Sequence, residues 1–557
     1  MMNRTNSQPT LEGVQKKSLK DIAIYAFLIF IGLWIGLIDV RNSGVQWLED
    51  GSRYANNGAM MRDWIVSGQY TDPYEFAKQN YTQYPASSVP YHPPGYAFLL
   101  GLWFVVTGLS YESARVLIAI FLVGIGLGFF QLIRRQGGSR EAACFAALLL
   151  VSSPELSRWA RCTMSEIPCL FFIVLASLFY WRWYSSSKAR FIWIAFGFAT
   201  VAFFCRVTAA GVLPAWFLLL AIERSWKRLF SVHLILSALL FLVIGGAWAK
   251  FAASFARHEV RSSFWDRLVD SMSIDNFTVW IVNLPNMVGW GPLLVAIIAL
   301  TPIAIEWGKQ ARVFFLLWFL SFYVFQILLD LHYESRYFMF VLPSLFGLIA
   351  LAIDAVRSVP SFRYAPAILT SVLLGVNLFG VYHIPRGFIG YDRVAKVLSE
   401  QDEAGNVLMS SWADSDLIFR YRCIDDKKRQ MIRGDRTLAI RLSEYTGVDP
   451  IPIADETNDV LEAMRRGRCR YLVTSTSSIS TRDNRPGDMK LAYRAANEHP
   501  DKFTLIEEFD LVFDYYRDRR AAKIQLWQFT EELPPGKSEL SIIIPTAQLK
   551  FPVKDSE

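Results

Sequence analysis

Leu117-Ile118-Ala119-Ile120-Phe121-Leu122-Val123-Gly124-Ile125-Gly126-Leu127-Gly128-Phe129-Phe130-Gln131-Leu132-Ile133 carries no charge, and the chain then turns through Arg134-Arg135-Gln136-Gly137-Gly138-Ser139-Arg140. An apolar run of about 20 residues is long enough to cross a hydrocarbon core of ~30 Å. A short link rich in arginine marks the cytoplasmic end of such a span. The pair recurs along the chain: Ile22 to Ile38 and Val232 to Ala249 are also almost free of charge. Two or three such runs could be core helices of a large soluble protein, but a dozen could not.

Composition agrees. The chain has 557 residues, 53% hydrophobic and 15% aromatic, with 19% charged, against ~25% charged in a soluble domain. The formal charge of +7 does not imply nucleic acid, because the basic residues sit in small clusters between apolar runs and not on one face. The six cysteines form no CxxC pair, so no zinc or iron–sulfur site is expected. Cys144, Cys162, Cys169 and Cys205 lie in or beside spans, whereas Cys423 and Cys469 fall in the polar tail and could pair in an oxidising compartment. The first apolar stretch runs too long for a cleavable signal peptide and reads as an anchor behind a polar leader, residues 1–20.

Apolar segments are read at about 21–39, 94–108, 115–133, 141–157, 166–184, 190–206, 208–222, 230–249, 288–306, 312–330, 338–355 and 364–384. The basic links (134–140, Lys188 with Arg190, Arg224 with Lys227 and Arg228, Lys309 with Arg312, Arg357 with Arg363) fall on the side of Lys16, Lys17 and Lys20 only if one early segment does not cross. That segment is 94–108, which opens with Pro93-Pro94-Gly95 and, at about 15 residues, reaches only ~22 Å. The expectation is an all-α polytopic membrane domain over 21–385 with about eleven spans, interfacial helices in a first outer loop at about 40–93, and the N-terminus in the cytoplasm. Further outer segments are the turn Pro154 to Glu166, a loop at about 250–287 and the link Leu331 to Tyr337. Residues 386–557, with Asn406–Ser410 and Arg470–Thr474 strand-like and Asp459–Arg466 helix-like, read as a soluble extracytoplasmic α/β domain.

Charged residues beside spans, outside the basic links, are the informative ones. They gather on the outer side: Glu49-Asp50-Gly51-Ser52-Arg53-Tyr54, then Tyr91-His92-Pro93-Pro94-Gly95, then Arg158, Arg161 and Glu166, then Arg206, then His332-Tyr333-Glu334-Ser335-Arg336-Tyr337. A lipid-phosphate sugar keeps its tail in the bilayer and its headgroup at the interface, so an enzyme acting on it needs a site at that boundary. A carboxylate there can take a proton from an attacking hydroxyl, and fixed cations can hold the departing phosphate. Asp50 fits the base, and Arg161, His92, Arg336 and Arg53 fit the phosphate. Glu166 fits an acceptor-orienting role, or a divalent ion shared with Asp50. Plainer readings stand beside these: Asp50 and Arg53 as an i, i+3 helix-start pair, Glu166 as a carboxylate at a helix N-terminus, His92 as a loop residue, Arg206 and Arg336 as snorkelling side chains. Trp47, Trp64 and Trp159 read as aromatic-belt residues.

The order of these motifs resembles the GT-C glycosyltransferases, in the branch of protein O-mannosyltransferases, lipid A aminoarabinose transferases and RgtA-to-D-like bacterial enzymes. Asp50 stands three before Arg53-Tyr54, His92 precedes Pro93-Pro94, Glu166 precedes Pro168, and Arg336-Tyr337 leads into Leu342-Pro343; the resemblance covers about 20–350. It implies an inverting glycosyltransferase of the cytoplasmic (inner) membrane, moving a sugar from a polyprenyl-phosphate donor to an extracytoplasmic glycan, lipid or protein. Asp50 and Glu166 would be its catalytic residues, and Arg53, Tyr54, His92, Arg161, Arg206, Glu334, Arg336 and Tyr337 would bind substrate. No cofactor beyond a divalent ion on Asp50 and Glu166 would be needed. A transporter or flippase of lipid-linked glycans, the main rival, should place ionisable residues deep in mid-span; a membrane scaffold presenting the tail is the other alternative.

Overall fold

The computed structural model describes residues 11–41, 50–86, 92–256, 274–299, 308–328, 334–384, 387–424, 429–440, 451–476, 487–515, 518–535, 541–544 and 549–552. Trp47, Glu49, Tyr91, His332 and Tyr333, which flank the motifs above, lie outside the described residues.

Helix α1 (Leu11–Leu37) is followed by three helices before the next long one: α2 (Asp50–Ser67), α3 (Pro73–Gln83) and α4 (Gly95–Thr107). Then come α5 (Tyr111–Arg135), α6 (Arg140–Ser152), the short α7 (Pro154–Trp159), α8 (Glu166–Ser186), α9 (Ala189–Cys205) and α10 (Val212–Ile222). Ser110 and Ser139 cap α5 and α6 by accepting from the backbone N–H groups of Ser113 and Ala142. The chain continues through α11 (Trp226–Leu229), α12 (Val232–Ala256), α13 (Ile274–Val282), α14 (Leu284–Val288), α15 (Trp290–Ile298), α16 (Gly308–Leu328), α17 (Ser335–Phe338), α18 (Leu342–Arg357) and α19 (Ala365–Val381).

This is a multi-pass membrane protein. Among the described residues seven helices are long and apolar enough to cross a bilayer, or eight if the pair bent by 114° at Gly289 is one broken span. Several expected spans are shorter or interrupted. Segment 141–157 breaks at Ser153-Pro154, α9 has 17 residues, and 208–222 starts in a 3-10 turn. The end of 288–306 lies outside the described residues. The outer loop expected at 250–287 is helical where described, because α12 runs to Ala256 and α13–α14 follow. Trp280, Leu284, Met287 and Val288 are buried at helical spacing, and Trp280 packs on Phe338 with ring centroids 5.3 Å apart.

Side-chain contacts sort the helix ends into two groups. At one end Arg140 pairs with Asp21 at 2.7 Å, Arg357 with Glu141 at 2.8 Å, and the Ser139 N–H donates to Asp354 at 2.9 Å. The 134–140 link, the start of α1 and the end of α18 therefore lie together. At the other end Arg115, near the start of α5, donates to the carbonyls of Gly36 at 2.6 Å and Ile38 at 3.1 Å, where α1 ends. The chain leaves and re-enters on one side between α1 and α5, so α4 does not carry it across.

The tail is a three-layer α/β/α unit. Its elements are β1 (Gly387–Ile389), α20 (Tyr391–Glu400), β2 (Asn406–Ser410), α21 (Asp414–Ile424), β3 (Met431–Arg433), the two-residue strands β4 (Ala439–Ile440) and β5 (Ile451–Pro452), α22 (Thr457–Arg466), β6 (Cys469–Ser475), α23 (Gly487–Glu498), β7 (Phe503–Tyr515) and β8 (Asp518–Phe529). The main sheet runs β1-β7-β8-β6-β2-β3, with β2 parallel to β3 and β6 and the β7–β8 hairpin antiparallel. β2 is buried throughout, as a central strand covered by helices on both faces should be. Val460, Met464, Leu491 and Ala495 cover one face from α22 and α23; Val394, Leu398, Leu417 and Tyr421 cover the other from α20 and α21. Cys423 and Cys469 are free thiols, so the pair considered from the sequence does not form; Cys469 is buried in β6 and Cys423 ends α21.

The two groups of helix ends predict the outcome of reporter fusions. Fusions at about residue 137 and residue 400 should report opposite sides of the membrane, cytoplasmic and extracytoplasmic respectively. The same compartment at both points would contradict the arrangement.

Candidate functional site at converging helix ends

Asp50 is the first residue of α2, Glu166 the first of α8, Arg206 follows α9, and Arg336 lies in α17. Four helix ends, distant in sequence, thus bring their charged residues to one place. Arg336 donates to Asp50 Oδ2 at 2.8 Å and to Glu334, and its Nε lies 3.8 Å from Glu166. Arg206 donates to Glu166 Oε1 at 2.7 Å. Arg53 reaches Asp50 at 3.9 Å, the i, i+3 spacing expected in the first turn.

The aromatic groups form a second layer. Tyr337 lies beneath both guanidinium groups, 4.9 Å from Arg336 and 4.7 Å from Arg206, and its hydroxyl accepts from Arg336 at 3.1 Å. The Tyr54 ring stacks on the His92 imidazole at 4.9 Å, and its hydroxyl accepts from Ser165 at 3.0 Å. The Pro-Pro-Gly turn has a steric reason: a Cβ on Gly95 would lie 2.7 Å from the Phe204 carbonyl, so only glycine lets α4 press against the end of α9.

Three guanidinium groups (Arg53, Arg206, Arg336) face three carboxylates (Asp50, Glu166, Glu334). Glu166 is fully buried, whereas the side chains of Asp50 and Glu334 keep 26% and 30% of their surface. Burial would raise the Asp50 carboxyl, but Arg336, Arg53 and the hydrogen bond from Arg336 outweigh it and hold the group below the usual carboxylate range. Asp50 is therefore ionised at neutral pH.

Two sequence expectations change. His92 is not a cation here: burial, with Arg206, Arg53 and Arg336 acting in the same direction against Asp50, pushes its imidazole down to about 3. It can serve as a neutral hydrogen-bonding group and a platform for Tyr54. Arg161 is buried, but it donates to the Val381 carbonyl at 2.8 Å and reaches Asp39 at 3.8 Å. Those contacts tie the link between α7 and α8 to the ends of α1 and α19. Arg206, by contrast, is bound into the group through Glu166 and is no snorkelling residue at the lipid boundary.

One residue escaped the sequence reading, and one read as an aromatic-belt residue is placed differently. Glu155 in α7 is buried and accepts hydrogen bonds from the Trp159 indole and the Ser335 hydroxyl. Trp159 is itself fully buried, 5.9 Å beneath Arg336, and is not a belt residue. Glu155 thereby holds the ring under Arg336 and the residue before it. Its only sequence signal is an acidic residue after the helix-starting Pro154. Among the described residues no group of three or more His, Cys, Asp or Glu could hold a metal ion. Asp50 and Glu166 converge instead on the Arg336 guanidinium between them.

Comparison with known proteins fits this geometry. Residues 91–248, which include His92, Glu166 and Arg206, match the family model of dolichyl-phosphate-mannose-protein mannosyltransferases. The chain superposes on ArnT from Cupriavidus metallidurans bound to undecaprenyl phosphate, with a TM-score of 0.57 and 14% identity, covering 92% of this chain and 99% of that one. The chain has the GT-C fold. The mycobacterial arabinofuranosyltransferase AftD aligns with a TM-score of 0.52 and 15% identity over 92% of this chain and 40% of that one. An uncharacterized protein of Aquifex aeolicus (strain VF5) is 26% identical over 223 residues, 39% of this chain and 42% of that protein. The match thus spans about two fifths of that relative's length. In this fold α2 and α3 lie between α1 and α4, and α4 packs closely against α2.

Arg336 contacts Asp50, Glu334 and Tyr337 at once, which needs the planar fork of a guanidinium. Arg336→Lys should therefore lose activity despite keeping its charge, and Arg336→Ala should lose more. If the contact with Glu334 is purely structural, Glu334→Gln will lower thermal stability as far as Arg336→Ala. Donor affinity and melting temperature measured on the same variants separate the two effects.

Proposed function

We propose that this chain is an inverting glycosyltransferase of the cytoplasmic membrane, taking a sugar from a polyprenyl-phosphate donor and giving it to a hydroxyl of an extracytoplasmic acceptor. The observation that carries this reading is the convergence of Asp50, Glu166, Arg206 and Arg336 at one set of helix ends. The mannosyltransferase family match and the GT-C fold support it. The undecaprenyl phosphate bound to the Cupriavidus protein supports a lipid-phosphate donor. The basic links at the opposite helix ends support a cytoplasmic N-terminus and an outward-facing site.

The chemistry follows from the charges. The acceptor oxygen attacks the anomeric carbon from the face opposite the phosphate and the new C–O bond forms. The bond to the phosphate oxygen breaks, and lipid phosphate leaves with the electron pair. The acceptor proton goes to Asp50. Arg336 and Arg206 carry the hydrogen-bond donors for the departing phosphate, where negative charge builds in the transition state. Glu166 anchors both guanidinium groups from below.

The same contacts give the base a timed change in strength. In the free protein Arg336 holds Asp50 as a weak base. When a donor phosphate draws on Arg336, Asp50 loses part of its main counter-ion and gains a neighbouring negative charge. Both raise its proton affinity when a proton must be taken. The transport reading is weaker because the described buried charges gather at helix ends and not at mid-span.

Transfer from a short-chain polyprenyl-phosphate sugar to membrane extract, by purified protein in lipid nanodiscs, tests the function. Asp50→Asn should leave the protein folded and reduce turnover ~10²-fold or more, the scale of a lost general base. Activity should be present above the Asp50 pKa and lost as pH falls through it. The acid limb of kcat, which reports the donor complex, should lie at higher pH than that of kcat/KM for the donor, which reports the free enzyme. Coincident limbs would show that Asp50 and the phosphate do not share Arg336, and wild-type turnover by Asp50→Asn would remove Asp50 as the base.

A further inference from the structure

Helix α2 is buried over its whole first half: every residue from Gly51 to Met60 is buried. A helix at the edge of a membrane domain should have one polar face in water, so both sides of α2 must be covered. One side belongs to the membrane domain, where α4 approaches closely. A Cβ on Gly58 would lie 2.6 Å from Leu100, and one on Gly101 would lie 2.7 Å from the Met61 Cβ.

The other side belongs to the tail. Helix α21 lies along α2 in the same direction and touches it at both ends. At the start, the Ser52 and Ser415 hydroxyls are 2.6 Å apart, and the Asn56 amide donates to the carbonyls of both Ser52 and Ser415 at 2.9 Å. At the far end Arg422 donates to Asp63 at 2.5 Å and lies 4.5 Å from the Tyr84 ring. Between them Phe419 joins the membrane domain's core, 4.5 Å from Tyr111 and 6.1 Å from Phe104. Arg420 lies 5.0 Å from the Tyr111 ring and pairs with Asp416 at 2.9 Å.

The contact at Ser52 is two residues from Asp50, within the same helical turn. We propose that the tail domain is a working part of the site: through Ser415, gripped by Ser52 and Asn56, α21 fixes the first turn of α2 and so the position of Asp50. Ser52, Asn56 and Ser415 are positioning residues, which touch no reacting atom and act through the base. The proposal rests on Asp50 being that base. It gives the tail a role that no motif in residues 386–557 announces. The physical requirement is strict, because a base displaced by ~1 Å loses much of its rate advantage even when substrate still binds.

The test uses the full-length protein in nanodiscs with the donor used above. Ser415→Ala and Asn56→Ala should lower kcat by roughly tenfold with KM for the donor within about twofold, because the lipid-phosphate contacts are untouched. Ser415→Thr, which keeps the hydroxyl, should restore most of the rate. Ser52→Ala combined with Ser415→Ala should be no worse than either alone, because both remove the same contact. Unchanged kcat in folded Ser415→Ala and Asn56→Ala would overturn the proposal. So would a loss fully explained by a lower melting temperature or a smaller active fraction. Amide hydrogen exchange over residues 50–60 keeps the test independent of activity: it should quicken in both alanine variants, and wild-type protection there would also overturn the proposal. If the wild-type protein transfers no sugar, the functional reading fails by itself, and exchange still decides whether the tail holds α2.

Discussion

Glu166 is fully buried at the start of α8, and its compensation by Arg206 and Arg336 constrains everything around it. A carboxylate removed from water is tolerated only with opposite charge at short range. Arg206 supplies it from the end of α9, and Arg336 supplies it from α17 while also reaching Asp50 on α2. The helix ends that carry these groups cannot drift apart without leaving a buried charge uncompensated. The site is therefore as rigid as the ion network, and that rigidity is what preorganised electrostatic catalysis requires.

The same network divides the labour between the carboxylates. Glu166 has no surface and two cationic neighbours, which suits an anchor. Asp50 keeps a quarter of its side chain open and sits at a helix start in the outer loop, which suits a group that must meet a substrate. Neutral His92 stacks on the buried ring of Tyr54 beside this group without adding charge. Arg161 and Arg115 do different work. They bind carbonyls where α1 and α19 end, a favourable place for cations because the helix dipole leaves partial negative charge there.

The side that carries this group of charges is built as one body. The sheet domain is joined to the membrane domain by buried hydrogen bonds, an ion pair and an aromatic cluster along α21. The loop helix α3 adds to the joint: Tyr81 enters the core on one face of the sheet and Tyr84 the core on the other, and Gln430 donates to the Thr82 carbonyl at 2.6 Å. Helices α2 and α3 are thus enclosed between the membrane domain and the sheet domain.

The sequence alone determined the membrane character, the short 94–108 helix and the α/β nature of the tail, because each rests on local patterns of apolar period and charge. Strand β2 and helix α22 fell close to their sequence-read limits for that reason. Asp50, Glu166, Arg206 and Arg336 were legible as outer charges for the same reason, although their pairing was not. Tertiary structure alone decided that Arg206 serves Glu166, that Arg161 turns to Val381, that His92 is neutral, and that Glu155 and Ser415 matter at all. Partner choice and proton affinity depend on what lies within a few ångströms in space. Arg206 and Glu166 are separated by 40 positions along the chain, Arg161 and Val381 by 220, and Ser52 and Ser415 by 363, where no local pattern reaches.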